Sequence, residues 1–212
     1  MLTLSTPFCE HNVVTRKKPK PAYHHGNLRA ELIDCGLRLI QEKGIRALTL
    51  REIGTRLGVS RSAAYRHFAD KAALLSSISE AGFIEFGNAL ETAKFSTSDD
   101  FRSRLQAMGA AYLQFASEHR AHFEVMFGEP PEPGCPPSEA GARAFGILEQ
   151  TIREGQERGE VRAGDSTVLA RCVWAMVHGA SMLQLDSAPG APPFNDFSSE
   201  ILMTGLASAT PV

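Results

Sequence analysis

Cysteine is scarce in this 212-residue sequence: there are four, at positions 9, 35, 135 and 172, with no CxxC pair or metal-like spacing. That argues against a zinc ribbon or a disulfide scaffold. Cys35 and Cys172 sit inside apolar helical patterns and are expected in a core, whereas Cys9 and Cys135 fall in expected loops. No apolar run reaches the roughly 18–20 residues needed to cross a membrane. The N-terminus lacks an early basic segment followed by an apolar stretch, so it does not read as a secretory signal. A cytoplasmic chain with no membrane partner is therefore expected. Also missing are a nucleophile motif, a phosphate-binding glycine loop and an HExxH zinc motif, which points away from an enzyme and leaves no cofactor to assign. His119 and His122 are three residues apart, a spacing that suits a metal, but no nearby carboxylate or thiolate completes a ligand set. His24 and His25 likewise lack further ligands nearby, and no metal is expected.

Charge is present but unevenly placed. The 43% hydrophobic and 22% charged composition suits a globular protein, with a formal net charge of only -2. Residues 14–71, however, hold 13 Lys and Arg against 5 Asp and Glu, a net of +8, and the remainder carries -10. A basic N-terminal third joined to an acidic remainder is the electrostatic footprint of a nucleic-acid reader with a separate second module.

The basic third centres on TLREIGTRLGVSRSAAYRHF, Thr49 to Phe68. Thr49 and Glu52 have capping-box spacing, so a helix should start at Leu50. Leu50, Ile53 and Leu57 make one apolar face, and Gly58 tolerates the left-handed backbone that stops a helix. Val59 can fold back on the core and Ser60 can cap a second helix. Two short helices joined by such a turn form a helix-turn-helix, whose second helix can enter a major groove. Its exposed chemistry suits that use: Arg51, Arg56, Arg61 and Arg66, with hydroxyls on Thr49, Ser60, Ser62 and Tyr65.

With YHHGNLRAELIDCGLRLIQEKG before it and DKAALLSSI after it, this stretch resembles the DNA-binding domain of the TetR family of transcriptional regulators over about residues 23–78. The most specific part is the order Gly44, Thr49, Gly58-Val59-Ser60, Tyr65, His67-Phe68 and Lys71-Ala72-Ala73-Leu74. The resemblance implies base reading by Arg61, Ser62 and Ala63, with Arg66 a further candidate. It implies phosphate contacts from Thr49, Arg51, Tyr65, His67 and Lys71, which set register without carrying sequence information. Downstream, Trp174 to Gly179 reads WAMVHG and resembles a C-terminal domain type in the same family, named for its Trp, His and Gly. In that type the last two helices pair with those of a second subunit.

The chain divides into a disordered basic tail (1–22), a helix-turn-helix domain (23–70) and a C-terminal dimerisation and effector-binding domain (71–212). An all-α fold of about nine helices is expected, three of them in the DNA-binding domain. The Pro-rich segments 128–137 and 187–193 read as irregular connections. Helix 8, expected from about Asp165, carries Val168, Leu169, Cys172, Val173, Met176, Val177 and Ala180, and helix 9 would use Phe194, Phe197, Ile201, Leu202 and Leu206. Helix 8 is apolar around most of its circumference and must be covered on more than one side, which supports a homodimer through helices 8 and 9. Phe86, Met108, Tyr112, Phe115, Met126, Phe145, Trp174 and His178, with Leu90, Phe127 and Met176, would wall a pocket for a small hydrophobic effector. The same residues serve equally as plain core. The expected function is a repressor on a palindromic double-stranded DNA operator, released by that effector. The alternative is a DNA-bound adaptor or activator that recruits a protein partner and has no small-molecule pocket.

Overall fold

A computed structural model describes residues 27–128, 138–186 and 195–207. The basic tail, His24 and His25, Cys9 and Cys135, nearly all of the two proline-rich connections, and the side chains of Phe194, Phe197 and Ile201 lie outside the described residues. Within them the chain is helical: α1 (Leu28–Lys43), a short 3-10 turn (Ile45–Ala47), α2 (Leu50–Leu57), α3 (Arg61–His67) and α4 (Lys71–Phe95). There follow α5 (Phe101–Glu118), α6 (Arg120–Phe127), α7 (Glu139–Glu157), α8 (Ser166–Asp186) and α9 (Asn195–Leu206). Among the described residues, β-pairing is limited to one antiparallel bridge between Val161 and Ala207.

Local chemistry sets most of the helix ends. The side chains of Thr49, Ser60, Asp70, Asp100 and Ser138 each accept from the backbone N–H three residues on, satisfying a donor the helix leaves unpaired. Gly58 takes φ 69° and ψ 25°, the left-handed cap that releases the chain from α2. Glu52 is turned toward Arg56, at 3.2 Å, so the capping box is only half formed. Arg56 also meets Glu42 at 2.8 Å. Although expected among the DNA-facing arginines, it is a strut between α1 and α2.

Two apolar cores result. The first joins Leu32, Cys35, Leu39, Leu48, Ile53, Ala64 and Phe68 with Leu74 and Ile78 of α4. The second joins Phe86 and Leu90, further along α4, with Met108, Tyr112, Phe115, Phe123, Leu148 and Ile152. The first core thus runs into α4, beyond the boundary drawn at residue 70. Helix α6 joins the cores as well: Ala121 and Val125 pack in the first, Phe123 and Met126 in the second. The crossing of α4 and α6 is close. A Cβ on Gly82 would lie 2.6 Å from Met126 Sδ and 3.2 Å from His122 Cδ2. Gly82 therefore answers a packing need, and α4 runs unbroken through it for 25 residues.

The second unit is also tied by charge. Buried Lys94 of α4 and Arg104 of α5 both reach Glu154 of α7, at 3.0 and 3.1 Å. Around α8 the packing is one-sided. Ala170, Val173 and Ala180 are buried, whereas Val168, Cys172, Ala175 and Met182 are exposed. Cys172, expected in the core, is exposed, whereas its neighbour Val173, about a quarter-turn around the helix, is buried. Val168, Cys172, Ala175, Gly179 and Met182 recur at alternating intervals of four and three, the spacing of a helix-pairing seam. By length and composition α8 could cross a membrane, with mean hydropathy 1.2 over Ser166–Leu185. Its buried face within the second core and Arg171 on its other side give it the character of a core helix with one face open.

Gly82→Leu should destabilise the fold by about 1–3 kcal/mol in chemical denaturation, the usual cost of overpacking a tight contact. An unchanged midpoint would mean that α4 and α6 do not approach as described.

Candidate nucleic-acid interface and ligand cavity

The turn between α2 and α3 is held by backbone bonds from Gly58 N–H to Thr55 O (3.2 Å) and Val59 N–H to Gly54 O (2.9 Å). Ala64 and Phe68 anchor α3 in the first core. Its outer face is then free: Arg61, Ser62, Tyr65, Arg66 and His67 are all exposed. The Arg61 guanidinium lies over the Tyr65 ring, 5.2 Å from its centroid. This contact between residues four apart limits the rotamers of both side chains on the exposed face. Ser62 Oγ is 3.0 Å from the Ser60 hydroxyl at the N-terminus of α3.

Two of the expected DNA contacts are placed differently. Ala63 is buried against the helix-turn-helix core, since the face of α3 that carries it is the one that packs. Its methyl group is not among the groups offered by the exposed face. Lys71 Nζ donates to Ile45 O at 2.7 Å, capping the 3-10 turn. The lysine thus has a structural task that only its distance from Ile45 in sequence conceals. Thr49 and Arg51 are exposed at the start of α2, and the Thr49 hydroxyl can donate outward while its oxygen accepts from Glu52. Exposed Arg61, Ser62, Tyr65 and Arg66 on α3, with Thr49 and Arg51 at the start of α2, have the chemistry for base edges flanked by phosphates.

Alongside α4 lies a cavity of ≈ 1610 Å³. Its walls include Phe86, Met108, Tyr112, Met126, Phe145 and Trp174, together with Leu90, Phe127 and Met176. Phe115 and His178, expected in the same wall, are not part of it. Phe115 is buried behind Phe86, ring centroids 5.2 Å apart, and stacks on His119 at 4.6 Å. His178 lies behind Tyr112, whose hydroxyl is 2.8 Å from Nδ1. Trp174 Nε1 donates to the same hydroxyl at 3.2 Å. The phenol therefore accepts from the indole and can donate to the imidazole. Burial pushes the Tyr112 phenol above its ordinary pKa, only partly offset by the Trp174 bond, and lowers that of His178, which favours a neutral ring able to accept. Trp174 and His178 are one turn apart on α8, so their shared bond to Tyr112 fastens α8 to α5. The lining is less uniformly apolar than expected, because Lys71, Arg102, Glu149, Arg171 and Glu200 also border it. Among these, Arg102, Arg171 and Glu200 are exposed.

A solvent-facing recognition helix on one core and a cavity against the other define a two-unit helix-turn-helix regulator. Comparison with known proteins gives the family. Residues 32–78 match the profile for bacterial regulatory proteins of the tetR family, and residues 105–206 match that for the tetracyclin repressor-like C-terminal domain. The chain belongs to the TetR family of transcriptional regulators. It is 24% identical over 199 residues to an HTH-type transcriptional regulator of Mycobacterium tuberculosis, covering 80% of this chain and 85% of that one. A protein of unknown function from Rhodococcus sp. RHA1 superposes with a TM-score of 0.78 at 30% identity, covering 89% of this chain and all of that one. A SmeT–triclosan complex shares the fold, with a TM-score of 0.62 at 21% identity over 84% of this chain and 91% of that one.

Arg61→Ala should cost about 1–3 kcal/mol on a preferred duplex and relax specificity at one base pair per half-site. Arg51→Ala should weaken all duplexes alike and reduce the salt slope by about one contact per subunit. Equal behaviour of the two variants on matched and scrambled duplexes would contradict the division into reading and gripping residues.

Proposed function

We propose that this regulator is a dimeric repressor that leaves a palindromic operator when a small, largely apolar molecule occupies the cavity along α4. The observation that carries this reading is the cavity. It borders the second core on the same helix whose first turns, through Leu74 and Ile78, are packed in the DNA-binding core. Its ≈ 1610 Å³ exceeds the roughly 300–1,000 Å³ usual for small-molecule sites, leaving room for a bulky ligand. Two recognition helices must stand about 34–36 Å apart to enter successive major grooves on one face. A ligand that tilts α4 alters that separation, and favours release only through its differential affinity for the two states. A room of this size is also what an adaptor without an effector does not require.

The open seam of α8, extended by α9, is the dimer surface in this reading. A symmetric pair buries the same residues twice, so a charge placed there is buried twice. Ala175→Glu, at the centre of the exposed stripe, should give monomer in sedimentation with helical content preserved and operator affinity sharply reduced. A wild-type monomer at micromolar concentration would contradict the dimer. Val173, although next to the seam in sequence, is buried within the protomer and is unsuited to this test.

The effector is tested by thermal shift with apolar small molecules, triclosan among them, followed by titration with and without operator. A ligand of the native state raises the melting temperature by mass action. An inducer must lower operator affinity by the same factor by which operator lowers its own. Compounds that raise the melting temperature but leave DNA affinity unchanged would contradict the proposed release.

A further inference from the structure

The two histidines that lack a third ligand in sequence gain one in space. His119 is the single residue between α5 and α6. Its backbone N–H donates to Phe115 O at 2.8 Å, its carbonyl accepts from Phe123 N–H at 2.9 Å, and its ring stacks on Phe115. His122 follows on α6, its ring centroid 6.0 Å from that of His119. Glu85, on the exposed side of α4, brings its Oε2 to 3.8 Å from His119 Nδ1. One ligand atom from each of Glu85, His119 and His122 lies within 4.8 Å of the other two. Tetrahedral bonds of about 2.0–2.1 Å place ligand atoms about 3.3 Å apart, so a modest inward rotation closes the set. Glu85 and His119 are half-exposed and can make that rotation. The exposed carboxylate of Asp34, on α1, acts electrostatically on His122 and adds to the negative field.

We propose that Glu85, His119 and His122 form a site for a divalent transition-metal ion of the zinc class, with the remaining coordination positions filled by water. Two imidazoles and one carboxylate suit Zn2+, Ni2+ or Co2+ and disfavour Mg2+ and Ca2+, which take oxygen ligands. The site bridges α4 to the α5–α6 corner, beside the Gly82 contact. Since α6 is seated in both cores, a bound ion fixes α4 against the element that joins the DNA-binding unit to the cavity unit. This role is independent of the effector cavity, whose lining includes none of the three residues.

The test uses the full chain without a histidine tag, stripped with chelator and titrated with Zn2+ against a competing fluorescent chelator. One ion per protomer is expected, with a melting temperature that rises with Zn2+ concentration. Glu85→Gln and His119→Gln should each weaken binding by about 10-fold or more, since even the loss of a residue that only orients a metal ligand costs that much. Both residues are half-exposed, so unchanged circular dichroism checks that the variants fold. Co2+ should give a visible absorption band with the wild type that His122→Gln abolishes. The double variant His24→Ala/His25→Ala should bind as the wild type does. Loss of binding in that double variant, equal affinity in wild type and Glu85→Gln, or no uptake at about 100-fold the free Zn2+ concentrations typical of micromolar sites would each overturn the proposal.

Discussion

Everything in this molecule depends on α4 being shared. Its first turns bury Leu74 and Ile78 among the helices that carry the recognition surface, and its later turns bury Phe86 and Leu90 in the second core. A helix cannot bend sharply without a specific break, and side chains packed at interior density resist small independent shifts. Motion at one end must therefore appear at the other, or the joint must open. The bare approach at Gly82 brings α6 against α4 at the point where the two cores meet, and α6 itself belongs to both. Lys94 and Arg104, converging on Glu154, hold the far end of α4 to α5 and α7. The DNA-binding unit and the wall of the cavity thereby share one helix.

The Trp174–Tyr112–His178 arrangement gives the WAMVHG stretch a physical meaning. Two residues one turn apart on α8 converge on a single buried hydroxyl of α5. A hydroxyl in that position would otherwise lose its hydrogen bonds to water, a penalty of about 1–3 kcal/mol for an unsatisfied buried group. The result fixes the angular position of α8 and therefore which of its faces remains outside. The seam from Val168 to Met182 lies on that outside face. The indole both lines the cavity and secures the helix that carries the proposed dimer surface.

What could be read from sequence was what is decided locally. Thr49, Ser60 and Asp70 act on backbone three residues away, and Gly58 answers to its own dihedral angles, so the helix-turn-helix was legible almost residue by residue. The number and order of helices followed from apolar periodicity. What escaped was set by distant neighbours or by a choice between adjacent faces. Lys71 is taken up by a carbonyl 26 residues earlier, and Glu85 meets histidines that lie 34 and 37 residues later. Tyr112 faces the cavity while Phe115, one turn on, lies behind its wall; Val173 is buried while Cys172 beside it is exposed. A periodic stripe wide enough to include both members of such pairs does not say which one the packing will choose. Ala63 shows the same ambiguity on a shorter helix.

The central claim is that the recognition surface and the cavity wall are mechanically one, and the chain carries a built-in reporter of it. Trp174 is the only tryptophan in the sequence, and it lines the cavity. A selected operator duplex should be titrated onto the protein while DNA anisotropy and tryptophan emission are followed together. The account predicts a saturable change in Trp174 emission that tracks the anisotropy, although no DNA contact is expected near α8. A full anisotropy transition with unaltered tryptophan emission would contradict it.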